Sequence, residues 1–230
     1  MATVPGFSDD FPSTQLSLLE AVASGGSLPN AALDRVAALY WKPVHRFVRL
    51  KFGKDADAAQ DLTQSFFASA IEHEFFQRFD PARASFRTYL RMAVERFAAN
   101  EHAAANRLKR GGDVTFEPVD SVEAAGESPE SIFEREWRRQ VFALALDDLK
   151  SQCDSAGKRV HWDVFAAYDL ADDTRPSYAE LAARHAIPET SVTNYLAWAR
   201  RMLRGFAEAR LRGVTSGPAE LRDEMRTLWS

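Results

Sequence analysis

Side chains able to do covalent or metal chemistry are few in this sequence, and their spacing does not bring them together. The five histidines are scattered, and none stands with cysteine or glutamate at metal-ligand spacing. Glu72, His73 and Glu74 are consecutive, so on a helix they diverge instead of converging. The single cysteine, Cys153, sits in a Gln-Cys-Asp-Ser setting with no cation beside it in the sequence, which favours an inert thiol over a reactive one. One cysteine also precludes an internal disulfide, in keeping with a reducing compartment. No glycine-rich loop is placed to cradle a phosphate; Gly25-Gly26 and Gly111-Gly112 read as helix stops. The sequence therefore predicts a binding protein and not an enzyme, with no metal and no cofactor.

Three constellations carry binding chemistry. Phe86, Arg87, Tyr89, Arg91, Arg96, Asn100, Arg107, Lys109 and Arg110 mix aromatic faces, an amide and cations, the combination that holds single-stranded nucleic acid through base stacking and phosphate pairing. Phe86 and Phe97 are expected in the core and are discounted from that set. Ser177 to Leu196 predicts a helix-turn-helix: Ser177 and Glu180 form a capping box, Leu181, Ala182, Ile187, Val192 and Leu196 pack two helices, Ala182 and Ala183 allow close approach, and Pro188 stops the first helix from running on. Its second helix would offer Glu189, Thr190, Ser191, Thr193 and Asn194 to base edges, with Arg200, Arg201 and Arg204 left to hold phosphates. An ordinary helical hairpin remains the alternative. Finally, Asp61, Gln64 and Ser65 share one helix face while Leu62 and Phe66 share another. A carboxylate beside an amide suits charge-assisted bonds to a basic partner surface, and a solvated face is the bland alternative.

The elements that must position these residues are helical, since helical spacing is common and strand alternation almost absent. Thr14 caps a first short helix that stops at Gly25-Gly26. Leu33, Val36, Tyr40, Val44, Phe47 and Val48 form an apolar seam in which Pro43 should produce a kink or begin a new helix. Asp55 caps the next helix, which runs to about Gln77. Phe79 to Ser85 is a loop turning at Asp80-Pro81. A long helix from about Ser85 to Gly111-Gly112 carries Phe86, Leu90, Ala93 and Phe97 on one face. Helices resume over Ser131 to Gln152, Val160 to Leu170, Tyr178 to His185 and Thr190 to about Leu211. A last amphipathic helix carries Leu221, Met225 and Leu228 and is expected on the C-terminal domain.

The 230 residues, 46% of them hydrophobic, suffice for two small helical cores. The formal net charge of −4 argues against an autonomous DNA binder, yet it conceals a basic–acidic–basic layout. Every charged residue from Arg35 to Lys54 is basic, and Arg87 to Arg110 is predominantly so. Asp113 to Glu134 has seven acids and no Lys or Arg, and Arg200, Arg201, Arg204, Arg210 and Arg212 follow. No apolar run can cross a bilayer and the start lacks a secretory pattern, so a cytoplasmic protein without membrane insertion is expected.

The motifs together resemble the sigma-70 family of RNA polymerase sigma factors. Asp61-Leu62-Thr63-Gln64 with Phe66-Phe67 is similar to the Asp-Leu-x-Gln motif of region 2. Phe86-Arg87-Thr88-Tyr89-Leu90 with its basic helix resembles the promoter-melting part of that region, and Ser177-Tyr-Ala-Glu-Leu-Ala resembles the opening of region 4. Their order, with no sizeable segment between the two domains, resembles the extracytoplasmic-function group. The resemblance implies an all-α fold of two small helical domains joined by an acidic flexible linker. The implied divisions are an N-terminal extension with a short helix (1–29), region 2 (30–112), a linker (113–130), region 4 (131–212) and a C-terminal extension with a short helix (213–230). It implies that Asp61, Gln64 and Ser65 bind core RNA polymerase at the clamp helices of its largest subunit, that the flap of the second subunit is a further contact, and that an anti-sigma factor is an admissible partner. It implies that Arg83, in the loop, joins the aromatic–basic helix on the non-template strand of the promoter −10 element, with one base out of the stack. The helix-turn-helix would read the −35 duplex, and the acidic linker would thread the polymerase cleft. Ser65 replaces an acidic residue common at that place, and Glu95-Arg96 replaces an Arg-Asn pair. Two other readings stay open: a stand-alone helix-turn-helix regulator, which leaves Asp61 and Gln64 unexplained, and an adaptor without DNA contact, which leaves the basic clusters unexplained.

Overall fold

Helix α1 (Asn30–Lys51) forms because Val36, Leu39, Tyr40, Val44, Phe47 and Val48 recur three and four residues apart, and all are buried. In the computed structural model, which describes residues 30–72, 75–110, 128–171 and 174–230, α1 runs through Pro43 as one helix. No new helix begins there: apolar residues buried on both sides of Pro43 outweigh the one hydrogen bond that proline removes. The helix ends where Gly53 adopts φ 59° and Lys54 N–H reaches back to the Arg49 carbonyl at 3.0 Å.

Asp55 caps α2 (Ala56–Glu72), accepting the Ala58 N–H at 2.8 Å. Leu62, Phe66, Phe67 and Ala70 form its buried stripe. This helix stops short of Gln77. A one-turn 3₁₀-helix, Phe75–Arg78, follows instead, and brings Phe75 against Phe66 with ring centroids 5.9 Å apart. Asp80 then organises the turn, accepting the Ala82 N–H on its side chain at 3.0 Å and the Arg83 N–H on its carbonyl at 3.1 Å. Ser85 caps α3 (Phe86–Arg110) through the Thr88 N–H at 3.3 Å. The fully buried stripe of α3 is Phe86, Leu90, Val94 and Ala98; Ala93 and Phe97, expected on it, are half-buried. Helix α1 packs on α2 and α3, and α2 packs on α3 and the 3₁₀ turn.

The remaining helices are α4 (Pro129–Ser155), α5 (Arg159–Asp169), α6 (Tyr178–His185), α7 (Glu189–Arg212) and α8 (Pro218–Leu228). Among the described residues the fold is therefore all-helical, and no helix is long and apolar enough to cross a membrane. Two compact units emerge: one ends at Gln140 and takes in Arg212–Ser230, the other is Val141–Leu211. The division falls within α4, and Pro129 and Glu130 already belong to that helix. In the first unit Phe133 meets Phe47 edge-on at 5.8 Å, and the Gln140 amide donates to the Ala38 carbonyl at 2.7 Å.

Helix α8 corrects an expectation. Leu221, Met225 and Leu228 are buried as its spacing requires, but α8 belongs to the first unit, not to the C-terminal domain. Its buried apolar face packs there, and two polar contacts fix its place: Glu220 accepts the Phe86 N–H at 2.7 Å, satisfying an amide at the start of α3, and Glu224 holds the Arg87 guanidinium. Met1 to Pro29, including the helix expected after Thr14, lies outside the described residues, as does Gly111 to Glu127 of the acidic stretch.

Candidate nucleic-acid interface

The end of α2, the 3₁₀ turn, the Asp80 loop and α3 enclose a cleft of about 620 Å³. Its aromatic walls are Phe66, Phe75, Tyr89 and Phe97. Phe75 and Tyr89 stack with ring centroids 4.6 Å apart and planes 11° from parallel, and the Tyr89 hydroxyl donates to the Phe75 carbonyl at 2.9 Å. Tyr89 is thereby fixed at both ends, and burial pushes its phenol above the ordinary value, so at neutral pH it is an uncharged aromatic surface. The polar rim comprises Arg78, Arg83, Arg96 and Asn100, with Asp80 pairing Arg83 at 3.2 Å in an exposed contact. Apolar walls with cations at the mouth suit an unstacked base whose phosphates stay outside.

Of the residues assigned from sequence to single-stranded DNA, the cleft gathers Arg83, Tyr89, Arg96 and Asn100. Two others are committed elsewhere. The Arg87 side chain, 11% exposed, lies on the Trp137 ring at 4.4 Å and pairs with Glu134 and Glu224. Arg91 pairs with Glu130 at 3.4 Å and Glu95 at 3.8 Å, and Lys51 joins the same acids at 3.3 and 2.6 Å. Burial would raise the Glu130 carboxyl, but a backbone hydrogen bond and Lys51 outweigh it and hold it below its ordinary range. Arg107, Lys109 and Arg110 have side chains outside the described residues. Phe86 is core at 1% exposure, whereas Phe97, expected there too, lines the cleft. Arg78, Phe75 and Met92 belong to the cleft and were missed. The 3₁₀ turn redirects the first two, and Met92, 53% exposed, would have been legible as an apolar residue facing away from the Leu90–Val94 stripe.

Asp61, Gln64 and Ser65 are exposed along one face of α2, while Leu62 and Phe66 are buried on the other. Thr63 between them is buried and donates to the Ala59 carbonyl at 2.7 Å.

In the second unit the capping box forms as expected: the Ser177 hydroxyl accepts the Glu180 N–H at 3.2 Å and the Glu180 carboxylate accepts the Ser177 N–H at 2.7 Å. Helices α6 and α7 are joined by Ala186 in the left-handed conformation, φ 51° and ψ 45°, with Ile187 N–H bonded to the Ala182 carbonyl at 3.0 Å. Leu181, Ala182, Val192 and Leu196 are buried at the junction; Ala183, expected in the close approach, is exposed. Glu189, Thr190, Thr193 and Asn194 are exposed near the start of α7 and Ser191 is half-buried.

No family model matches the chain, and no curated protein matches it.

The arginines of α7 are not equivalent. Arg200 forms a two-pronged pair with Asp169, both bonds at 2.8 Å, and these bonds hold the guanidinium charged. Arg210 does the same with Asp148 at 2.7 and 2.6 Å. Arg201 and Arg204 are exposed. Beside α7, His161 stacks on Tyr195 at 3.7 Å and Lys158 lies over Trp198 at 4.3 Å, an aromatic cluster not anticipated from sequence. Among the described residues no group of His, Cys, Asp and Glu is arranged to hold a metal, and Cys153 is a buried thiol that burial pushes above its ordinary value.

Proposed function

We propose that this chain is a sigma factor of the extracytoplasmic-function type, which binds core RNA polymerase and directs promoter recognition, melting and transcription initiation. The observation that carries the reading is the aromatic cleft rimmed by Arg78, Arg83, Arg96 and Asn100. On this reading residues 30–112 form region 2 and 131–212 form region 4. The cleft takes one unstacked base of the −10 non-template strand, with the Phe75–Tyr89 stack as its platform. Helix α7 lies in the major groove of the −35 element, where Thr190, Thr193 and Asn194 reach base edges. The exposed Asp61 and Gln64 meet the clamp helices of the largest polymerase subunit. Because the cleft serves a strand and not a duplex, the free chain pays the opening of the duplex alone, and core polymerase lifts that burden.

The test is titration of core polymerase, with and without the protein, on a promoter fragment whose −10 non-template strand is single-stranded. Tyr89→Ala should weaken the complex by about 1–3 kcal/mol, the worth of one base stack. Equal affinity for fragments with and without that strand, or no effect of Tyr89→Ala, contradicts the reading. Tight sequence-specific duplex binding by the free chain would instead favour a stand-alone regulator.

A further inference from the structure

The basic run of α1 takes no part in the cleft. Lys42, Arg46 and Arg49 stand four and three residues apart, so they share one helix face, and all three are exposed. The opposite face of α1 is the buried one, through which it packs on α2 and α3. The stripe therefore points away from the helices that form the cleft, and a strand held there does not meet it. Other cations of this unit are matched by acids: Lys51 and Arg91 by Glu95 and Glu130, Arg87 by Glu134 and Glu224. The stripe is not. Among the described residues none of its three cations pairs with a carboxylate, Asp55 and Asp57 at the start of α2 included. Asp34, the one acid within α1, precedes Lys42 by about two turns. His45 is committed elsewhere, its ring donating to the Ala56 carbonyl at 3.3 Å.

What the stripe lacks narrows its partner. Among the described residues of α1 no large apolar side chain is exposed, and Trp41, at the edge of the stripe, is stacked on Phe67 at 5.6 Å. A stable protein interface is anchored by aromatic or aliphatic side chains. A helix lying on a membrane sinks an apolar face into the lipid, and a single-strand site offers rings to bases. Three unpaired cations along roughly 10 Å of helix call only for phosphates. We propose that Lys42, Arg46 and Arg49 form a sequence-independent contact face for the phosphate backbone of duplex DNA, separate from the cleft. The face needs neither polymerase nor an opened strand.

The experiment is fluorescence anisotropy of a duplex of about 20 base pairs and random sequence, titrated with the full chain from about 20 to 150 mM salt. Lys42→Gln/Arg46→Gln/Arg49→Gln removes the charges and leaves the buried face of α1 intact. The helix-turn-helix is the same in both chains, so their difference reads the stripe. Each cation lost should flatten the log–log salt dependence by roughly 0.9 and weaken binding about eightfold near 0.1 M salt. A triple variant with unchanged helical circular dichroism, affinity and slope overturns the proposal, as does a wild-type chain that binds no duplex at the lowest salt. If the triple variant loses its helical signal, Arg46→Gln alone decides: a slope flatter by roughly 0.9 supports the face, and an unchanged one overturns it. Vesicles of phosphatidylserine and phosphatidylcholine, and core polymerase, are the competing probes. A variant that loses either of these while binding duplex unchanged replaces the duplex face with a lipid or protein one. Neither polymerase nor single strand enters the duplex titration, so its failure leaves the proposed function standing, and the reverse holds as well.

Discussion

Ala186 turns the chain between α6 and α7 in a conformation that suits glycine better than alanine. Its φ of 51° and ψ of 45° lie in the left-handed region, where the Cβ crowds the carbonyl at a cost of about 1–2 kcal/mol. The conformation is retained because the Ala186 and Ile187 N–H groups bond to the last carbonyls of α6, and because Leu181, Val192 and Leu196 are buried on either side of the turn. Ala186→Gly removes the crowding but returns about 0.4–1 kcal/mol of freedom to the unfolded chain. The side chain is exposed, so no packing is lost. The net expectation is a stabilisation of about 0.5–1 kcal/mol, or roughly 2–8 °C in the melting temperature of a unit of this size. Ala186→Val should have the opposite sign by about 1 kcal/mol or more, since a β-branched side chain tolerates the left-handed region least. Thermal unfolding followed by circular dichroism at fixed scan rate checks both. A glycine variant that melts lower than wild type, or a valine variant that melts no lower, would refute the assignment of strain to this turn.

Further outcomes follow from the site. Thr193→Ala and Asn194→Ala should each cost about 1–3 kcal/mol on a preferred −35 sequence and relax one position, checked by binding to a panel of duplexes in the polymerase complex. Arg201→Ala should weaken all promoters alike and reduce the salt slope by roughly one, whereas Arg200→Ala should do less to the slope, because Asp169 already holds that guanidinium at 2.8 Å. Glu224 has its carboxyl raised above 4.5, first by burial and then by Glu220 and Asp223, against the pull of Arg87. A carboxyl raised on folding binds more protons in the native state, so stability falls as pH rises from about 4.5 through the folded value. Urea unfolding across that window should show this fall, and Glu224→Gln should flatten it.

Much of the fold was legible because its signals are local. The Asp55 cap, the Asp80 turn, the Ser177–Glu180 box and the α6–α7 pairing each need only a few neighbouring residues, and each forms. What escaped sequence reading depends on partners far along the chain. The spacing of Phe97 fits a core stripe, but α3 buries Val94 and Ala98 and turns Phe97 toward Phe66 at 5.6 Å. A single turn of 3₁₀-helix, where α2 was expected to continue, moves Phe75 and Arg78 into the cleft. Arg87 and Arg91 read as free cations because charge patterning cannot show that Glu134 and Glu224 will neutralise one of them across 47 and 137 residues of chain. The same applies to α8, whose apolar face was evident but whose contacts through Glu220 and Glu224 to the start of α3 span 134 and 137 residues of chain. The residues of α2 that face solvent, by contrast, were fixed by helical spacing alone, which is why Asp61, Gln64 and Ser65 are exposed together.

The most direct measurement is the affinity of the purified chain for bacterial core RNA polymerase, compared with that of Asp61→Arg/Gln64→Ala. Both positions are exposed on α2, so the substitutions leave its buried Leu62, Phe66 and Phe67 in place and helical content should not change. A sigma factor should bind core tightly and lose that binding by at least about tenfold in the variant, because a charge-assisted contact becomes a like-charge one on a basic partner surface. A wild-type chain that does not bind core, or a folded variant that binds it unchanged, would contradict the account.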